Sequence, residues 1–304
     1  MKSGDKLGAR LAHKDVILLD GAVGTQLQRY GVPMNNTAWA AVALETHPDT
    51  VRYMHRRYIE CDVDIITTNT YSSARHNLEP LGMGDLTREL NLRAVSLAQD
   101  AIARHATRDV FIAGSVSNFG IVTEGEQSAS LHRYSRPRSG ITAEQARMNL
   151  GEQAQILADA GVDLLLAEST GSMTQRRWVL DACLQTGLPT WLGYRARLEQ
   201  GDPEVRVGYS SAERLEDGLK DLASAGADVV CIFHSTVPAV TASIPVVKRH
   251  WSGPIAAYPE ADRTDYTATH RDESVDNSIT VEEFSQQAAQ WVRNGVQVIG
   301  GCCG

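Results

Sequence analysis

The sequence predicts a (β/α)8 barrel. Eight short apolar runs have the length of strands, and one helical segment separates each run from the next. No Pro/Gly-rich linker divides the 304 residues, so 1–304 reads as a single domain. Strands alternating with helices imply a parallel sheet. Eight such units favour a closed barrel, typically about 250 residues or more, over an open doubly wound sheet. The competing open-sheet signature is weak: Gly21 and Gly24 follow the first run, but no GxGxxG and no P-loop is present.

The elements follow in order. Val16-Ile17-Leu18-Leu19 is a buried-strand pattern that runs into Asp20-Gly21-Ala22-Val23-Gly24-Thr25. Asp20, taken alone, suits a cap for a helix starting near Thr25. Pro48 to Glu60 reads as a helix, with Val51, Met54 and Tyr58 spaced for one face. Asp64 to Tyr71 is the second strand and ends in hydroxyl and amide groups beside an aromatic ring. Leu86 to His105 is an amphipathic helix, and Asp109 to Val116 the third strand. A long irregular segment, Ser117 to Gly140, follows; a loop of that length in a compact domain is commonly functional. Thr142 to Ala160 is a helix, where Thr142 and Gln145 resemble a capping box. The alternation continues with strands at Val162–Ala167, Pro189–Tyr194, Ala227–Phe233, Pro254–Tyr258 and from Val296 onward. Helices are expected at Thr174–Gln185, Ala212–Ala225, Ala239–His250 and Val281–Asn294.

Composition narrows the function. Hydrophobic content of 42% and charged content of 22% are those of an ordinary globular protein. A net charge of −8 without a basic cluster argues against nucleic acid as partner. No apolar run approaches the ~20 residues that span a bilayer, and the N-terminus has no signal-peptide core. Five scattered cysteines do not form a disulfide framework, so the expected compartment is the reducing cytoplasm.

In such barrels chemistry sits at the C-terminal ends of the strands. Those ends carry Asp20, Thr70 with Tyr71, Ser115, Glu168, Tyr194, Cys231, Tyr258, and Cys302 with Cys303 in the terminal Gly300-Gly301-Cys302-Cys303-Gly304. The sixth and eighth strands lie two places apart around the ring, so Cys231 is expected to face Cys302 and Cys303 across the mouth. Three thiolates select zinc and leave its fourth position open. That position suits a thiol, which the metal would deprotonate into a nucleophile. Asp20 and Glu168 are placed to bind the ammonium group of an amino acid. Cys61 and Cys183 read as packing residues on helices; His234, three residues past Cys231, could approach the site, but reads rather as making a loop hydrogen bond.

Four stretches together resemble the homocysteine S-methyltransferase family over nearly the whole chain: Asp20-Gly21-Ala22-Val23-Gly24-Thr25, Thr68-Asn69-Thr70-Tyr71, Ala167-Glu168 and the terminal Gly-Gly-Cys-Cys-Gly. The resemblance implies a zinc-dependent barrel enzyme with Cys231, Cys302 and Cys303 as metal ligands. Asp20 and Glu168 would hold the homocysteine amino group, with Thr70 and Ser115 beside them. Homocysteine thiolate would attack the methyl of a sulfonium or quaternary ammonium donor, such as S-methylmethionine, S-adenosylmethionine or betaine, giving methionine. Trp39, Tyr71, Phe119 and Tyr134 are the rings expected near that cation. The chain departs from the family pattern at Ser117-Asn118-Phe119-Gly120, where Gly-Pro-Tyr-Gly is common. It also departs at Val230, where asparagine is common, and at Ser169, where betaine enzymes carry an aromatic residue. These departures leave open a different thiol or donor, a module working with a cobalamin partner, or a non-catalytic zinc- or thiol-binding barrel. The family normally continues past the cysteine pair into a last helix. The expectation here is a barrel lacking that helix, with an open seam that a partner subunit in a homo-oligomer would cover.

Overall fold

Eight parallel strands make one sheet: Ile17–Leu18, Ile65–Thr67, Phe111–Ser117, Leu164–Ser169, Thr190–Tyr194, Val229–Phe233, Ile255–Tyr258 and Val298–Ile299. The computed structural model describes residues 3–122, 141–199, 201–209, 212–222, 225–262 and 278–304. Each strand pairs with its successor, and the eighth returns to the first with Ile17 opposite Val298 and Leu18 opposite Ile299. The ring closes between the first two strands. A bridge joins Leu19 to Ile65; Asp20 N donates to Ile65 O at 3.0 Å, and Asp64 N donates to Leu18 O at 2.7 Å. The fold is therefore the predicted (β/α)8 barrel.

Alternation along each strand sorts side chains to two faces. Ile17, Leu19, Ile65, Phe111, Leu164, Leu166, Trp191, Val229, Cys231, Phe233, Tyr258 and Val298 fill the barrel. Their neighbours, among them Ile66, Ile112, Leu165, Leu192, Val230 and Ile232, face the surrounding helices. A helix not read from the sequence, Ser3–Ala12, adds Leu7 and Leu11 to the inner cluster. It crosses the end where the strands begin: Arg10 Nη1 donates to Asp64 Oδ1 at 2.7 Å, and Gln297 Nε2 donates to Leu11 O at 2.8 Å. Its two apolar residues, at i and i+4, are enough for one buried face but too few to stand out in a polar stretch.

The helices Pro48–Glu60, Thr87–His105, Ala143–Asp159, Met173–Leu184, Leu215–Leu222, Val237–His250 and Val281–Arg293 lie where the periodicity placed them. Thr142 caps its helix by accepting from Gln145 N. The Gln145 side chain, however, donates to Asn149 rather than back to the cap, so the box is half made. A complete box joins Thr280 and Glu283. Asp20 caps nothing; the helix Gly24–Arg29 follows Val23 with no side-chain cap.

The expected open seam is hydrogen-bonded through the paired first and last strands. No helix follows Val298–Ile299 in the five remaining residues, and the outer side of the first strand is left 43% exposed at Val16 and 40% at Leu18. Cys183 is buried as expected. Cys61 is exposed, because the helix ends one residue before it and turns it outward. Among the described residues no helix is long and apolar enough to cross a membrane.

Candidate active site

The C-terminal mouth of the barrel gathers two carboxylates, a sulfur–imidazole cluster and three aromatic rings. Asp20 stands just past the first strand and is 2% exposed. Its carboxylate accepts from Thr67 N at 2.7 Å and from Thr67 Oγ1 at 2.8 Å. Glu168, on the fourth strand, accepts from Ser115 Oγ at 2.5 Å on one oxygen and from Tyr258 Oη at 3.1 Å on the other. Burial pushes both carboxyls up to about 7, with their donors opposing it, and each feels a neighbouring negative group. Two acids held near neutrality by desolvation, with lone pairs to spare, are built to receive a cation.

Thr70 is brought to the same ring but its hydroxyl is occupied. It donates to Ser115 O at 2.7 Å and meets Thr68 Oγ1 at 2.7 Å, which ties the second strand's end to the third's. Ser115 reaches the site through Glu168.

The terminal segment is fixed from both sides. Gly300 N donates to Ala257 O, Gly301 N to Asp20 O, Cys302 N to Pro259 O, and Ala261 N to Cys303 O. Gly300 must be glycine, because a Cβ there would stand 2.8 Å from Leu19 Cβ and 2.9 Å from Asp20 O. Cys302 and Cys303 are half-buried with their sulfurs 3.8 Å apart, and Cys302 Sγ lies 3.5 Å from His234 Nδ1. The ligand atoms of His234, Cys302 and Cys303 all fall within 4.8 Å of one another.

Cys231 does not join them. It lies mid-strand opposite Gly193 and Ala256, fully buried in the barrel, and burial holds its thiol well above the ordinary range. The strand continues to Phe233, so the residue that emerges at its end is His234. His234 has a left-handed backbone (φ 45°), which histidine tolerates better than most residues. Its Nε2 lies 2.5 Å from Tyr209 Oη, and its Nδ1 lies 3.6 Å from Glu260 Oε2. Burial opposes its protonation, yet Cys303 and Glu260 outweigh that and raise its pKa. His234, and not Cys231, is therefore the sixth strand's contribution to this cluster. Counting to the strand's true end would have found it.

The fit of this cluster to a metal can be checked on its edges. Tetrahedral zinc with Zn–S of ~2.3 Å and Zn–N of ~2.05 Å requires S···S of about 3.8 Å and S···N of about 3.6 Å. The observed 3.8 Å and 3.5 Å match those edges. One imidazole and two thiolates also neutralise a divalent ion, where three thiolates would leave a negative charge.

The rings of Trp39, Tyr71 and Phe119 form a triangle, with centroids 6.2, 6.4 and 5.6 Å apart. Trp39 sits on a strained backbone (φ 39°, ψ −116°), and its ring occupies the space a Cβ on Gly24 would need, at 2.4 Å. Tyr71 and Cys302 both pack against the inner cluster of the barrel, which puts the triangle at the same mouth as the sulfur cluster. Tyr134 lies outside the described residues.

Comparison with known proteins agrees with this geometry. The sequence profile described as homocysteine S-methyltransferase matches residues 17–304. The selenocysteine methyltransferase of Astragalus bisulcatus is 26% identical, over 94% of this chain and 88% of that protein. Homocysteine S-methyltransferase 4 of Zea mays is 24% identical, over 94% of this chain and 84% of its own length. Among solved structures, the metallated form of the homocysteine methyltransferase MmuM from Escherichia coli superposes with a TM-score of 0.74. It is 21% identical and covers 98% of this chain and 94% of its own, so the two share a fold.

Proposed function

The chain belongs to the homocysteine S-methyltransferase family and is an enzyme that moves a methyl group to homocysteine; we propose that it does so at a zinc site formed by His234, Cys302 and Cys303. The observation that carries this reading is the gathering of three ligand atoms within 4.8 Å, two of whose separations, 3.8 and 3.5 Å, are those of a zinc tetrahedron's edges. Bound there, zinc would supply a deprotonated homocysteine sulfur at neutral pH.

The protein's own groups do the rest. Asp20 and Glu168 bind the substrate ammonium, and Ser115 and Tyr258 aim the Glu168 carboxylate at it. Trp39, Tyr71 and Phe119 hold the cationic donor, each ring worth about 0.5–2 kcal/mol toward a cation. The homocysteine sulfur then attacks the methyl carbon. The new S–CH3 bond forms as the donor's own bond to that carbon breaks, and the electron pair leaves on the donor as a neutral thioether or tertiary amine. Cys231, a buried thiol, takes no part. We read residues 1–304 as one catalytic barrel, suited by its free thiols to a reducing compartment such as the cytoplasm.

The test is methionine formation by zinc-loaded protein given homocysteine with S-methylmethionine, S-adenosylmethionine or betaine. Selenocysteine serves as a second acceptor, since one relative is named for it. Turnover with one donor supports the reading. Zinc at one per chain with no turnover on any pair would overturn it.

A further inference from the structure

His234 makes a ligand of this site only if one ring nitrogen is bare and turned toward Cys302. Two features outside the sulfur cluster bear on that. The first is a short antiparallel pair, Ala196–Arg197 with Arg206–Val207, which leaves the barrel directly after the fifth strand and returns to it. The second is the loop at the end of the sixth strand, Phe233 to Thr236. The two are joined: Ala196 N donates to Ser235 Oγ at 2.8 Å, and Ser235 Oγ in turn donates to Phe233 O at 2.7 Å. The returning arm brings Tyr209 to His234.

Arg195 fixes Tyr209 there. Its Nη1 donates to Gly208 O at 3.0 Å, and Gly208 N donates back to Arg195 O at 2.9 Å. The Arg195 guanidinium lies 4.1 Å from the centre of the Tyr209 ring, and Arg195 itself is 2% exposed. Both the peptide and the ring of Tyr209 are therefore held by one buried side chain. The phenol oxygen stands 2.5 Å from His234 Nε2, with the two rings at 78°. The opposite nitrogen, Nδ1, is the one 3.5 Å from Cys302 Sγ.

We infer that Tyr209 is a positioning residue for the metal site: its oxygen accepts the Nε2–H of His234 and so leaves Nδ1 bare, facing the two cysteines. This rests on the zinc reading above. A ligating histidine is normally steadied through its other nitrogen, and loss of that partner typically weakens metal binding by about 10–100-fold. Glu260, 3.6 Å from Nδ1, favours the opposite tautomer, and the Tyr209 contact on Nε2, at 2.5 Å, is the shorter of the two.

The experiment compares wild type with Tyr209→Phe in the full chain. Zinc affinity is measured by competition with a chromophoric chelator, and the His234 ring nitrogens are followed by long-range 1H–15N correlation without metal. Expected are a roughly 10–100-fold weaker zinc affinity in the variant, and the Nε2–H tautomer in metal-free wild type giving way to a mixture in the variant. Equal zinc affinity in the two proteins would overturn the inference. So would an Nδ1–H tautomer in metal-free wild type, a result that stands even if the variant does not fold. Wild type that retains the Nε2–H tautomer but takes up no zinc would instead sink the metal reading and leave the tautomer device standing.

Discussion

Replacing Glu168 by Gln should make the protein more stable and a worse enzyme, and the first effect should depend on pH. The Glu168 carboxyl is raised from 4.5 to about 7, chiefly by burial. The folded protein thus binds this proton more tightly than the unfolded chain does. Its stabilising contribution is full below the unfolded value and is lost as pH rises through 7. A shift of that size is worth about 3 kcal/mol once the group is ionised. Removing the charge also relieves Asp20, whose own pKa Glu168 helps to raise. Glu168→Gln should therefore gain about 3 kcal/mol over wild type at about pH 8 and little at about pH 4.5. Urea denaturation of both proteins at the two pH values measures this, and the titrating groups that Glu168 does not perturb cancel in the comparison. At the same time KM for homocysteine should rise at least ~30-fold, because an ammonium group loses one of two desolvated partners. A stability difference equal at both pH values would refute the claim that Glu168 is a buried carboxylate held ready for a cation.

Three further outcomes follow from the same geometry. Cys302→Ala should abolish both metal retention and methyl transfer, whereas Cys231→Ala should keep one zinc per chain by metal analysis; loss of zinc from the Cys231 variant would restore it as a ligand. Trp39→Ala should raise KM for the donor by about 3–30-fold, the loss of one cation–ring contact, and leave KM for homocysteine unchanged. His55 is fully buried, and neither ring nitrogen has a hydrogen-bond partner among the described residues. Burial lowers it to about 4 from 6.5, so the stability it permits is full above 6.5 and is lost as pH falls through 4. His55→Leu should therefore raise the melting temperature at neutral pH, by about 1–3 kcal/mol of stability, and flatten the acid loss.

Most of the barrel could be read from periodicity, because a buried parallel strand is an unbroken apolar run and each helix shows a 3.6-residue face. What escaped had no such pattern. Of its described side chains the N-terminal helix buries Leu7 and Leu11, and the pair Ala196–Arg197 with Arg206–Val207 is two residues long on each side. The carboxylates were legible because Asp20 and Glu168 fall at strand ends among apolar residues. The third ligand proposed here, His234, lies three residues past the cysteine that the sequence singles out. Cysteine is conspicuous as a metal ligand, but Val229–Phe233 keeps Cys231 inside the barrel and releases His234 at the rim. Thr70 shows a different limit: sequence can put a hydroxyl at the mouth but not say that Ser115 O already engages it.

The strand that closes the ring also delivers two of the three proposed ligands. Ile17 and Val298 pair across some 280 residues of chain. Contacts that distant form late and against a large loop-closure entropy. Cys302 and Cys303 reach His234 through the pairing of the last three strands, and the same segment is tied to the first strand by Gly301 N donating to Asp20 O, so a metal at this site would grip a segment held from both sides of the closure. Zinc would then act as a clasp beside the closure. It would stabilise the closed ring by mass action in proportion to its free concentration. A cell short of zinc would hold this protein not merely inactive but less stable.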